Sequence, residues 1–227
     1  MKQPDNLLYL DASEVPGLVA LQSGERLAVA LAGPRRGRGR TLLAAVAEVL
    51  GQLQLSPAAL QGVLVCTGPG SFTGVRVGIA TAQGLAAARG WRPLVCDSLM
   101  LEAAAYCGEA GSLAVCHDAR RGEVYAGLYD VSGKMPRALV PPFCAPPVLA
   151  RELLRPSGGT AVQACAGSGA ALLAANDGAW VVRADLAPES RAQAAFDLAA
   201  RGGCTAVELA RLAPFYLRHP DLGPRVR

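Results

Sequence analysis

GPGSFTGVRVGIATAQGLAAA, from Gly68 to Ala88, is a glycine-rich loop that opens directly into a long helix of small residues. The apolar stretch before it, Val63 to Thr67, reads as a buried strand ending in a turn. Gly74, Gly78, Ala82 and Ala86 recur every four positions and fall in one row along the helix. Glycine inside a helix costs roughly 1 kcal/mol relative to alanine, so Gly78 and Gly84 point to selection beyond helix propensity. Close packing or a bound partner is the expected cause. A phosphate loop of the GxxxxGK type lacks its lysine here. A GxGxxG dinucleotide fingerprint finds Thr73 at the third glycine, with Gly74 one residue late. Ser71 reads as the helix N-cap.

Outward from this loop, the preceding chain reads as strands Leu7 to Ala12, Leu18 to Gln22 and Leu27 to Ala32, then a helix from Thr41 to Leu55. Short turns make the three strands antiparallel. After the loop and its helix come strand Pro93 to Asp97 and helix Leu99 to Cys107, so strand and helix alternate as neighbours of one parallel sheet do. A second start appears at Leu113. There LAVCHDARRGEVYAGLYD repeats the logic of LLYLDASEVPGLVALQSG: an apolar strand ending in Asp-Ala, a turn, then another strand. An internal duplication with its boundary near Gly108 to Gly111 follows. The remainder reads as an extended stretch Arg137 to Phe143, a helix Val148 to Leu154, strand Ala161 to Ala166, and the Gly167-Ser168-Gly169 turn. Helical stretches Ala170 to Ala175, Arg191 to Ala200 and Ala206 to Leu212 close the chain.

The chain has 227 residues, 52% of them hydrophobic, enough for a packed core. Its apolar runs are far shorter than the ~20 residues that span a bilayer, and MKQPDN at the start is too polar for a signal peptide. A cytoplasmic protein without membrane attachment is expected. Seven cysteines without a CxxC pair read as free thiols in the core. Net charge is +4 and the cations are almost all arginine, Lys2 and Lys134 being the lysines; codon composition in a GC-rich genome produces the same bias. Arg35, Arg36, Arg38 and Arg40 read as a solvated loop, or else as a contact with RNA or an acidic partner, although aromatic residues make up 5% of the chain and none lies in that loop.

Catalytic constellations are thin. His117 and His219 form neither HxxxH nor HExxH, which leaves a metalloprotease without ligands, and no metal site is expected. Neither Ser71 nor Ser168 has the GxSxG spacing of a hydrolase nucleophile. Asp11 and Asp118, each ending the first strand of a half, are placed for a magnesium-nucleotide site between two domains, and Gly167, Ser168 and Gly169 would let a nucleotide approach the backbone. Both aspartates equally suit plain turn caps.

GPGSFTGVRVGIATAQGLA closely resembles the signature of the TsaB family of bacterial tRNA threonylcarbamoyladenosine biosynthesis proteins, formerly grouped with glycoproteases. LLYLDAS from Leu7, HDARRGEVYAGLYD from His117 and PFYLR from Pro214 agree in order. The resemblance implies an α/β fold of two ribonuclease-H-like domains, of the actin, sugar-kinase and heat-shock-protein superfamily. The domains expected are 1–108, carrying a partner-interface helix, and 109–227, whose last segment packs back on the first. It implies a non-catalytic scaffold for modification of the adenosine beside the anticodon, paired with TsaD, which carries metal and nucleotide, and joined by the ATPase TsaE. tRNA is met through the complex, and the chain alone is a homodimer. No cofactor of its own is implied, with ATP and magnesium placed at an interface shared with TsaD. The partner interface so implied comprises Phe72, Gly74, Val75, Arg76, Gly78, Ile79, Ala82 and Ala86. The alternative is a stand-alone ATPase working through Asp11 and Asp118. Against it, nucleotide-hydrolysing members of the superfamily carry glycine two residues after each aspartate, where this chain has Ser13 and Arg120. The family's histidine at the start of the first long helix is absent, GRGRTLL standing there instead.

Overall fold

The computed structural model describes residues 4–35, 38–154, 164–175 and 180–218, with backbone alone at 34, 35 and 38–40. Strands β1 (Asn6–Asp11), β2 (Gly17–Ser23) and β3 (Arg26–Arg35) form an antiparallel meander, and β4 (Arg38–Arg40) turns back along β3. Helix α1 (Leu42–Leu53) leads to β5 (Gly62–Cys66), α2 (Phe72–Arg89), β6 (Leu94–Cys96) and α3 (Ser98–Ala104). The second half runs β7 (Ser112–Arg120), β8 (Glu123–Asp130), β9 (Arg137–Ala145), α4 (Pro147–Leu153), β10 (Ala164–Ala166), α5 (Ala170–Ala174) and β11 (Val181–Val182). Helix α6 (Pro188–Ala200), strand β12 (Thr205–Ala206) and a 3-10 turn at Leu209–Arg211 then return to the first sheet.

The first sheet has the order β12-β6-β5-β1-β2-β3-β4 and the second β11-β10-β7-β8-β9. The duplication is visible in them. β1 lies parallel to β5 and antiparallel to β2, as β7 lies parallel to β10 and antiparallel to β8. Helices cover both faces of the first sheet, so Leu7 to Leu10 of β1 and Val63 to Cys66 of β5 run apolar without alternation. Leu8, Leu10, Val63 and Val65 meet α1 and α2 on one side, while Leu7, Tyr9, Leu64 and Cys66 meet α6 on the other. In the second sheet, α4 and α5 cover one face and α3 the other. Helices α3 and α6 therefore lie between the two sheets.

Local signals fix the element ends. Thr41 caps α1 by accepting from Ala44 N at 3.2 Å, and Gln54 ends it in the left-handed conformation. Leu42, Val46, Val49, Leu50 and Leu53 share the inner face, each worth about 2 kcal/mol when buried. Asp97 caps α3 through Met100 N at 2.8 Å, which starts that helix one residue earlier than its apolar run suggests.

Two expected elements are corrected. The arginine-rich segment is not a loop, because Gly33 to Arg40 and Arg35 to Arg38 pair as a hairpin; Arg36 lies outside the described residues. Ala206 to Leu212 is not a helix. Thr205 and Ala206 pair with Val95 and Leu94, Val207 N donates to Pro93 O at 2.9 Å, and the open edge of β6 thus captures this backbone before a helix can form. Of strand Ala161 to Ala166, the first residues lie outside the described set.

Candidate functional site

The glycine loop is sealed by the chain's own first strand. Beyond β1, Ala12 and Ser13 run against the loop and the first turn of α2, and Ser71 N donates to Ser13 O at 2.6 Å. A Cβ at Gly70 would stand 2.3 Å from Ser13 O, and one at Gly74 would stand 2.0 Å from Ala12 O. The glycines serve this close approach to Ala12 and Ser13, and Gly70 and Ser71 also border the cleft between the halves. Ser71 caps α2 through Gly74 N at 3.2 Å, as the spacing predicts.

The second half repeats the device. At Gly167 and Gly169 a Cβ would come within 2.6 Å of Cys116 O and 2.8 Å of the His117 carbonyl carbon. Gly167-Ser168-Gly169 is thus packed on the end of β7. Ser168 Oγ accepts from Asp118 N at 3.2 Å and donates to the Glu14 carboxylate, joining the two halves.

Asp11 and Asp118 are both committed to donors within the chain. Buried Asp11 accepts from Tyr9 OH at 3.1 Å, Ser13 N at 2.9 Å and Ser13 Oγ at 2.6 Å. Arg191 of α6 lies 3.8 Å from Asp11, 3.8 Å from Glu14 and 3.6 Å from Glu102, a cation already in the place a metal would take. Burial works against the Arg191 charge, and Asp11 and Glu102 more than offset it, so its pKa is raised. Burial pushes the Glu102 carboxyl up, with His117 and Arg191 opposing. Asp118 accepts from Arg120 N at 2.7 Å and from its guanidinium at 3.0 Å. These carboxylates do not fit a magnesium-nucleotide complex. Among the described residues no group of His, Cys, Asp and Glu is arranged to hold a metal ion. A cleft of about 650 Å³ between the halves is lined by Ser13, Asp118, Arg120, Ser168 and Tyr216, with Asp11 outside its wall.

The interface residues named from sequence divide between the two sides of α2. Val75, Gly78, Ile79, Ala82 and Ala86 are buried on the sheet, and Gly74 touches Ala12, so the row of small residues is an internal packing surface. This corrects its reading as a docking face: its spacing puts it in register with Val75 and Ile79, the larger residues that need burial. Phe72 and Arg76 alone of that set face outward. The outward side continues through Val77, Ala80, Gly84 and Ala87, and the outer side of neighbouring α1 carries Leu43, Ala47 and Gly51. A Cβ at Gly51 or Gly84 would meet nothing within 4 Å.

Sequence reasoning missed two features. Arg191 belongs to no local motif and reaches Asp11 only because α6 returns to the first sheet. The other is the clamp of PFYLR on α2, a contact between segments far apart in sequence that the motif itself does not reveal. Tyr216 stacks on Phe72 with centroids 5.3 Å apart; the Arg76 guanidinium lies 3.8 Å over the Phe72 ring, and its Nε donates to Tyr216 OH at 2.8 Å. Arg218 bonds Ala119 O at 3.0 Å and the Glu123 carboxylate, tying this segment to the second half.

A family model described as TsaD, tRNA N6-adenosine threonylcarbamoyltransferase, matches residues 35–184. A Bacillus subtilis protein named tRNA threonylcarbamoyladenosine biosynthesis protein TsaB is 30% identical over 136 residues, 60% of this chain and 59% of that protein. A Haemophilus influenzae protein of the same name is 34% identical over 122 residues, 52% and 51% of the two chains. The matches thus span between half and three fifths of these curated relatives. Two solved structures from Pseudomonas aeruginosa, YeaZ and a protein described as similar to the peptidase YeaZ, superpose with TM-scores of 0.74 and 0.75 at 28% identity. They cover 96% of this chain and 100% of theirs. Among the described residues, no helix is long and apolar enough to cross a membrane.

Proposed function

We propose that this chain, which belongs to the TsaB family within the fold of two ribonuclease-H-like α/β halves, is a non-catalytic subunit for tRNA threonylcarbamoyladenosine formation that works by docking TsaD. The observation that carries this is the outer face of α1 and α2. Gly51 and Gly84 sit inside helices where the chain's own packing gives no reason for glycine, against a helix penalty of roughly 1 kcal/mol each. Close approach of partner helices supplies that reason, since small residues let helix axes come near. Leu43 and Val77, 60% and 48% exposed, add apolar surface to the same face. The non-catalytic role is supported by Asp11, whose carboxylate is turned to Tyr9, Ser13 and Arg191.

In this proposal ATP and magnesium are held by TsaD or at the shared interface, TsaE joins the pair, tRNA is reached through the complex, and the chain alone pairs with itself through the same face. Work in the cytoplasm, where tRNA is modified, follows from it. Reconstitution with TsaD, TsaE, the threonylcarbamoyl donor and unmodified tRNA tests the proposal. Modification that requires this chain, and that survives Asp11→Asn if that variant folds, is expected. Modification that proceeds equally without the chain overturns it.

A further inference from the structure

A pair of thiols lies outside everything described so far. Strand β12 pairs with β6 in antiparallel register, Thr205 opposite Val95 and Ala206 opposite Leu94. One step along the ladder sets Cys204 opposite Cys96. Val207 N donates to Pro93 O at 2.9 Å, which makes that a hydrogen-bonded position, and alternation makes Cys204 and Cys96 a non-hydrogen-bonded pair. The backbone of Cys96 agrees, since its carbonyl turns the other way and accepts from Thr67 N at 3.0 Å. At such a position facing Cα atoms stand about 4.5 Å apart with side chains on the same face, within the range a disulfide spans. Both thiols are free, with Cys96 buried and Cys204 partly exposed.

We propose that Cys96 and Cys204 form a reversible disulfide that staples β12 to β6 when the protein meets a small-molecule disulfide oxidant. The accessible Cys204 thiolate attacks one sulfur of the oxidant, and the first small thiol leaves as its thiolate. Cys96 then gives up its proton and displaces the second small thiol from Cys204. Two protein thiols are oxidised, the oxidant disulfide is reduced to two thiols, and dithiol reductants reverse the exchange. The bond joins the point where the chain leaves the first sheet, just before α3, to the point where it returns after α6. It closes a ring around the whole second half. It also anchors the root of the segment that carries Tyr216 to Phe72 and Arg76, so oxidation stiffens one edge of the α2 outer face.

The native full chain is equilibrated with oxidised and reduced glutathione, quenched in acid, alkylated and mapped by peptide mass spectrometry. The expected result is a Cys96 to Cys204 cross-linked peptide that disappears with dithiothreitol, while Cys107 and Cys144 remain alkylatable. Oxidation raises the thermal midpoint of the parent chain and not that of Cys204→Ser. Full alkylation of both Cys96 and Cys204 under oxidising conditions overturns the proposal, as does a cross-link between Cys96 and its parallel-strand neighbour Cys66. The map of the parent chain decides the matter even if the variant fails to fold.

Discussion

Gly74→Ala and Gly84→Ala place the same methyl group in the same helix and are expected to move stability in opposite directions. At Gly74 the new Cβ would stand 2.0 Å from Ala12 O and 3.2 Å from both Ala12 C and Ser71 Cβ. The obstacle is backbone, so relief requires α2 to lift from the end of β1. Overpacking of this kind costs about 1–3 kcal/mol, with larger values where backbone must shift. Against it stands a propensity gain of about 1 kcal/mol. The collision wins, and Gly74→Ala loses about 2 kcal/mol, or roughly 4–8 °C in midpoint for a chain of this size. Gly84 is exposed with nothing within 4 Å, and Gly84→Ala gains about 0.5–1 kcal/mol. Urea titration of both variants, with unchanged slope required for the comparison, measures the difference. A Gly74→Ala protein as stable as the parent, or a destabilised Gly84→Ala, would refute the assignment of the two faces of α2.

Removing the guanidinium in Arg191→Ala strips Asp11, Glu14 and Glu102 of their shared cation and is expected to lose about 3 kcal/mol in chemical denaturation, with partial recovery in Arg191→Lys. Glu102 has its pKa raised by burial, so the folded state holds its proton more tightly than the unfolded chain. Its contribution is most favourable below the ordinary carboxylate range and is lost as pH rises through the folded value. Glu102→Gln should therefore gain stability relative to the parent as pH increases from the acid range to neutrality, and a gap that shrinks over that range would contradict the burial account. Tyr216→Ala breaks the stack on Phe72 and the bond from Arg76, losing about 1–2 kcal/mol and opening the 214–218 segment to limited proteolysis.

Much of the first half was legible because its signals are local. A continuous apolar strand, a serine cap and small residues at helical spacing read directly as β5, Ser71 and α2. The orientation of α2 was not legible, because small residues occupy both of its sides and the pattern carries no polarity to say which faces the sheet. What decides it is the contact of Gly74 with Ala12, a residue on a strand far away in sequence. The same holds for Arg191, whose role exists only through the return of α6, and for β12, too short to show a strand period. Asp11 looked available for a ligand because its neighbours in sequence include a turn. Its donors Tyr9 and Ser13 were in plain view, but strand alternation alone did not show that the Tyr9 hydroxyl folds back onto it.

The most direct test of the account is binding between this chain and the TsaD of the same cell, measured by calorimetry for the parent and for Gly84→Arg. The account predicts that the variant keeps the parent's far-ultraviolet spectrum, melts no lower than the parent and loses measurable binding, since a long charged side chain blocks approach to the outer face of α2. Binding of Gly84→Arg equal to that of the parent would contradict it.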